Sequence, residues 1–349
     1  MSPAPNIAPG RTGATEGGAR NRPAAPSRSR LPLGPRGLTW VLLRVHRGAL
    51  ALWGIFVTCT ALAFVYLHFL GKEVERSQAP GCGNARETAL SCGPAEMNAY
   101  DSYGGLLEVG AGLFTFLPFV IAVWAGGALV GREFERDTTA IAWTQSVSPV
   151  RWLATKVALS ALLITVGTAG LTVLFRWIWL SAADIRTPVW YEADSFHATG
   201  PAGPAYALLG LAAGVFAGVL LRRTLPAIGA AAGALGLVYF VCEAYRFDLW
   251  PKTRLTGDKA SNLPSDAYQA ELGVIKNSGE RVNELVCFDT ELPAVLQKCL
   301  AEHDAQGVVA VIHPESHFWP LQLVETGVVL AVAAALTAAA FRLVRRRTP

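Results

Sequence analysis

Three signatures of stand-alone chemistry are missing from this chain. There is no G-x-x-x-x-G-K-[ST] phosphate loop, so the chain does not bind and hydrolyse ATP by that device. Neither G-x-S-x-G nor H-E-x-x-H occurs, which removes the usual marks of a serine hydrolase and a zinc peptidase. Charge is also scarce: 16% of residues are charged, against about 25% in an ordinary soluble domain. The first 48 residues contain no lysine, and Glu16 is their single acid. Apolar residues fill the chain instead. Of the 349 residues 52% are hydrophobic and the mean hydropathy is +0.34, the composition of a membrane protein.

The apolar residues gather into six runs: Ala49–Leu70, Leu106–Val130, Val157–Leu180, Tyr206–Leu221, Thr224–Cys242 and Trp319–Phe341. A helix needs about 20 such residues to cross the hydrocarbon core. The fourth run reaches that length by drawing on residues from Ala198, past Pro201 and Pro204. Spans are therefore expected at 49–70, 106–130, 157–180, 203–221, 224–242 and 319–341. Helices satisfy their own backbone groups in lipid, and the runs lack the period-two alternation of barrel strands. Gly229, Gly233 and Gly236 recur near one helical turn, a spacing suited to close helix packing. The first run lies too far from the N-terminus, and is too long, for a cleaved signal peptide. The expected fold class is an all-α membrane protein with six transmembrane helices.

If the six spans alternate, one side collects eight arginines from the first 48 residues, then Arg132, Arg136, Arg151, Arg222, Arg223, Arg342 and Arg345–Arg347. The short loops of the other side hold Lys72, Arg76, Arg86, Arg176 and Arg186. The positive-inside rule then puts both termini in the cytoplasm of a multi-pass plasma-membrane protein. The six cysteines agree with this orientation. Cys59 and Cys242 sit inside apolar runs, where a thiol behaves as a small hydrophobe. Cys82 with Cys92, and Cys287 with Cys299, fall in two loops on the outer, oxidising side. Disulfides Cys82–Cys92 and Cys287–Cys299 are the simplest of three pairings; zinc is the rival, weakened by the lack of C-x-x-C spacing.

Residues 1–35, rich in Pro, Gly, Ser, Ala and Arg, are expected to form a disordered basic cytoplasmic arm, leaving 36–349 as the six-span domain. Leu38, Val41, Leu42 and Val45 recur at helical spacing beside Arg36, Arg44 and Arg47. Either a short amphipathic helix lies in the cytoplasmic interface there, or the first span starts early. Trp190, Tyr191 and His197 are expected at headgroup level. The loop 243–318 is too long for a connector. Its stretches Ser265–Ile275 and Leu292–Leu300 read as helical, so an extracellular cap of short helices is expected between spans five and six.

Glu108, Arg176 and Glu325 are ionisable groups within or beside the spans, all toward the outer ends. Such groups usually face a bundle interior or water. They could line an outward-facing substrate path, with Arg176 paired to one carboxylate, or snorkel to the interface. His313 and His317 stand four apart, but Pro314 between them favours an irregular entry to the last span over a metal site. No metal or cofactor is expected on this chain.

The segment Gly131–Lys156 is left on the cytoplasmic side. Glu133, Glu135 and Asp137 alternate there with Arg132 and Arg136. Thr138 and Thr139 can cap a new helix, which Ser148 and Pro149 would end. A short helix carrying Trp143 between fixed charges suits insertion into a partner's groove. A solvated loop held by local ion pairs is the plainer reading.

The run ALVGREFERDTTAIAWTQSVSPVRWLATK resembles the region between the second and third spans of ABC-2 type transporter permeases from actinobacteria. Those proteins carry R-E-x-E-x-G-T, then A-W-T-Q-S-V-S-R and R-W-L-x-x-K. The matching residues here are Arg132, Glu133, Glu135, Thr138, Ala142–Ser148, Arg151–Leu153 and Lys156. Asp137 stands where the family usually has Gly, and Pro149 where it often has Arg. The resemblance implies a permease that dimerises with a like or unlike permease subunit and works with separate cytoplasmic P-loop ATPases, which hold the ATP and Mg. It further implies that Arg132, Glu133, Glu135, Arg136, Thr138, Trp143 and Gln145 couple the permease to the ATPase. The expected function is export across the plasma membrane, with no catalytic residues and no nucleic-acid partner. The alternatives are a non-transporting assembly or immunity protein, whose gene needs no ATPase neighbour, and a membrane-embedded enzyme acting through residues such as His313 and His317.

Overall fold

A computed structural model describes residues 44, 46–76, 94–135, 148–181, 189–282 and 293–347. Six of its helices are long and apolar enough to cross a membrane, matching the six expected spans. Helix α1 (Arg47–Arg76) is followed by α2 (Pro94–Trp124), which passes through a π-helical stretch, Ala125–Gly131, into the short α3 (Arg132–Glu135). Then come α4 (Pro149–Ser181), α5 (Ala193–Thr199), α6 (Ala202–Leu221) and α7 (Thr224–Tyr245). Two short helices, α8 (Asp258–Ser261) and α9 (Pro293–Glu302), accompany a sheet, and α10 (Phe318–Arg347) closes the chain. Ser148 and Pro149 open α4. Proline suits the first helical turn, and the Ser148 hydroxyl accepts from the Arg151 N–H at 3.3 Å.

The bundle is built around α6. Of its apolar window 72% is buried, against 17% for α1, and α2, α4, α7 and α10 all pack on it. Glycine makes the closest of these contacts possible. A Cβ on Gly210 would lie 2.3 Å from the Pro118 carbonyl oxygen, and one on Gly214 would lie 2.6 Å from that of Ala122. Thus α6 meets α2 backbone to backbone, as small residues permit in lipid. Gly229 and Gly233 on α7 have nothing within 4 Å of such a Cβ, so the tight seam runs along α6.

The loops give the bundle two distinct ends. A left-handed Arg222 (φ 53°) and Arg223 make the tight turn from α6 to α7, and arginines finish α10 at that same basic end. At the other end sits a four-stranded antiparallel sheet of order β1-β4-β2-β3: β1 (Thr253–Thr256), β2 (Tyr268–Lys276), β3 (Arg281–Val282) and β4 (Ala305–His313).

This sheet corrects the all-α expectation and the cap built only of short helices. The Ser265–Ile275 stretch, read as helical, contributes most of β2. Its Ala, Glu and Leu favour helix locally, but Tyr268, Ala270, Leu272 and Val274 alternate inward with exposed Gln269 and Glu271. That period-two pattern lets one face pack against Ala260, Val308 and Ile312. Helix α9 does form where 292–300 suggested one.

Neither expected disulfide pairing joins two described residues. Among the described residues no two cysteines are bonded to each other; Cys59 and Cys242 are free thiols, and Cys299 is disulfide-bonded. Cys82, Cys92 and Cys287 lie outside the described residues, and Cys299 stands on α9. The basic arm 1–35 and most of the Arg36–Arg47 helix expectation likewise fall outside the described residues.

Candidate functional site

The structure separates the three residues expected to line a substrate path. Glu108 is exposed on α2. Arg176 on α4 donates to the Thr199 carbonyl at 3.1 Å and lies over the rings of Phe318 and Trp319, at 5.1 and 4.8 Å. Glu325 on α10 is 0% exposed, and its cation is Arg246 at the end of α7, also 0% exposed. Arg246 Nε donates to Glu325 Oε2 at 2.8 Å and Nη2 to Oε1 at 3.3 Å. The Tyr206 hydroxyl on α6 donates to Oε1 at 2.9 Å.

Around this ion pair the donors run in one direction. Arg246 Nη2, which can only donate, lies 3.1 Å from His197 Nε2, so that nitrogen accepts and Nδ1 carries the proton. Nδ1–H then donates to Tyr239 at 2.7 Å, Tyr239 to Thr115 at 3.2 Å, and Thr115 to Asp194 at 2.5 Å. Four spans and α5 thereby share one polar network. Gln322 joins it to the α5–α6 junction, donating to Phe196 O at 2.5 Å and accepting from Ala202 N at 3.1 Å. The junction closes because Gly200 has no Cβ, which would stand 2.2 Å from the Gln322 amide carbon. The buried Nη1 of Arg246 has no hydrogen-bond partner, but the guanidinium lies 4.2 Å from the Phe196 ring, a cation–π contact. Beside Asp194 of the network, Glu192 has its pKa raised from the ordinary value, first by burial and then by the negative charges of Glu108 and Asp194.

Of the residues expected to couple to an ATPase, Arg132, Glu133 and Glu135 lie on α3; Arg136, Thr138, Trp143 and Gln145 lie outside the described residues. Glu133 pairs with Lys156 of α4, whose ammonium also donates to Leu129 O at 3.1 Å and sits 4.5 Å from the Trp152 ring. Glu135 accepts from the Thr224 N–H at 3.1 Å and from its hydroxyl, capping α7 from outside. Two carboxylates thus fasten α3 to two different spans.

Sequence reasoning left Arg246 in a loop and missed Tyr206, Tyr239, Thr115, Asp194 and Gln322. The available signal was Glu243 one helical turn before Arg246, which extends α7 past Cys242. Trp190 and His197, expected at headgroup level, are both buried, at 2% and 1% exposure. The Trp190 indole donates to Asp266 O at 2.6 Å and ties the sheet to the bundle.

The histidines before α10 serve the same junction. His313 Nε2–H donates to Phe247 O at 2.9 Å, leaving Nδ1 to accept from His317 Nδ1–H at 3.0 Å. Burial, with His317 adding to it, holds His313 below its usual pKa of 6.5, although the bond to Phe247 opposes the shift. The unfolded chain therefore takes up a proton that the folded chain refuses. This stability is complete above about pH 6.5 and is lost as pH falls below it. A melting temperature that drops from about pH 7 to about pH 5, with a smaller drop in His313→Gln, is the expected result; identical profiles for the two proteins would contradict it.

Among the described residues, no group of three or more His, Cys, Asp or Glu could hold a metal ion. Fold and sites together define a six-span helical membrane protein with a buried polar network at its sheet end and a clamped short helix at its basic end. The family model described as ABC-2 membrane transporter related matches residues 53–246, more than half of the chain, and the chain belongs to that family. Its general role is that of an ABC-2 permease, a transport subunit and not an enzyme. No curated protein and no solved structure matches it.

Proposed function

We propose that this chain is the membrane-spanning subunit of an ABC-2 type exporter in the plasma membrane. Its basic end faces the cytoplasm, as the arginine distribution favours. It pairs with a second permease subunit and works with separate P-loop ATPases that hold ATP and Mg. The observation that carries the reading is the double clamp on α3, within the family-matched region: Glu133 to Lys156 on α4, and Glu135 to Thr224 on α7. A partner ATPase pushing on α3 and the segment after it would move two spans at once, supplying the differential contact that a driven transition requires. The π-helical turn before α3, a feature frequent at functional sites, gives that motion a place to be absorbed. Glu108 and Glu192 mark the outer mouth of the path in this reading.

The test is reconstitution with the ATPase that co-purifies with the chain. Glu133→Lys is expected to lower permease-stimulated ATP hydrolysis and export about tenfold, the equivalent of one charge-assisted contact. Adding Lys156→Glu should restore both, since the pair is remade in reverse. Export and stimulation that stay at the wild-type level in Glu133→Lys, with insertion confirmed, would refute the coupling role.

A further inference from the structure

A cavity of about 510 Å³ lies between α1, α2 and α4 in the basic half of the bundle. This is within the range of about 300–1,000 Å³ found for small-molecule sites. Trp53, Phe56, Leu117, Trp124 and Leu163 form its walls, and the polar groups of its lining gather at one end. There Lys156, already paired with Glu133, stands with Ser160 and with His46, whose Nε2 is buried without a hydrogen-bond partner. Arg47 is exposed one residue beyond His46. The cavity is not sealed from the side: Leu52, Phe116 and Val120 on its rim are 70%, 68% and 63% exposed. They belong to spans, so the opening faces the acyl region of a bilayer. Trp53 fixes the inner wall, its indole donating to Leu163 O at 3.2 Å while its ring packs onto Gly167.

An apolar slot open to lipid, with a basic and hydrogen-bonding rim at one end, has the amphipathic layout of a phospholipid. Basic pockets between spans near a membrane surface take anionic headgroups. We propose that this cavity is a specific site for an anionic phospholipid, with one acyl chain in the slot and the phosphate at the His46–Arg47 rim. The Lys156–Glu133 pair forms the neutral floor beneath the headgroup, so discrimination between headgroups falls to His46 and Arg47. The site rests on the six-span reading and not on transport, so it can fail or hold independently of the exporter role.

The full-length protein, purified in detergent, is delipidated and then titrated with phosphatidylglycerol or phosphatidylcholine, and bound lipid is counted by native mass spectrometry. The wild type should prefer phosphatidylglycerol. His46→Leu should lower phosphatidylglycerol retention about tenfold, as expected for one lost charge-assisted hydrogen bond, and phosphatidylcholine retention less, because its choline cation offsets the charge of the same phosphate. Ser160→Phe, which fills the slot, should lower retention of both lipids, with size-exclusion behaviour confirming the fold. If Ser160→Phe misfolds, His46→Leu alone decides. Equal retention of the two phospholipids by the wild type, an unchanged preference in His46→Leu, or capture of free fatty acid in place of phospholipid each overturns the proposal. So does a slot filled by another segment of this chain or by a second copy, either of which would leave the protein without lipid.

Discussion

Replacing Glu325 with Ala is expected to destabilise the folded protein by about 3–5 kcal/mol, because removing one partner of a buried pair leaves the other charge uncompensated. Arg246 has no exposed surface and cannot recover its water. Glu243, one turn earlier, touches it at 2.7 Å but is 38% exposed, so that contact is partly screened. The same substitution strips an acceptor from Tyr206 and frees Arg246 to reorganise around His197. The double variant Arg246→Met with Glu325→Leu should recover most of the loss, since apolar replacements of a whole buried pair are often neutral or stabilising. Thermal unfolding in detergent reads both effects. Should the double variant prove no more stable than Glu325→Ala, the loss would have to come from something other than an orphaned charge.

The second large effect belongs to the α6 seam. Gly210→Ala places a methyl group 2.3 Å from the Pro118 carbonyl oxygen, a backbone atom that cannot swing aside. The expected cost is about 1–3 kcal/mol, the range for overpacking, and Gly210→Val should lower the yield of folded protein further. Gly229→Ala is the matched control: its space is open, and a helical glycine replaced by alanine should gain about 0.4–1 kcal/mol. Comparable stabilities for Gly210→Ala and Gly229→Ala would remove α6 from the centre of the packing.

The spans were legible because crossing lipid demands long apolar runs, and nothing else in the chain imitates them. Which span is central was not legible. The six windows have nearly equal hydropathy, 1.9 to 2.1, although their burial runs from 17% to 72%. Lipid and protein interior select the same side chains, so the difference lies in the glycines, and those of α7 looked as suited to packing as those of α6. The sheet stayed hidden because β2 is written in helix-favouring residues, and its partner β4 lies beyond α9. At the sites, single charges could be seen but not their companions. Glu325 stands out within its apolar run, while Arg246 lies past the end of an apolar run that stops at Cys242. Glu133 and Glu135 were read as facing a partner, yet both also hold this chain together, through residues 23 and 89 positions away. Contacts over such separations are set by the fold and not by local pattern.

Arg246 and Glu325 are separated by 79 positions, and that interval has a consequence for how the protein is made. Synthesis runs from the N-terminus, so α7 and its arginine reach the membrane before the sheet and α10 exist. In the interval the guanidinium has Glu243 for company but not its buried partner, and one side of α6 is still uncovered. The Arg246–Glu325 pair therefore closes only once α10 is in place. A chain that stops or is cut before α10 leaves Arg246 with only the partly exposed Glu243 as counter-charge and one face of α6 open, the kind of surface by which a cell recognises an unfinished membrane protein.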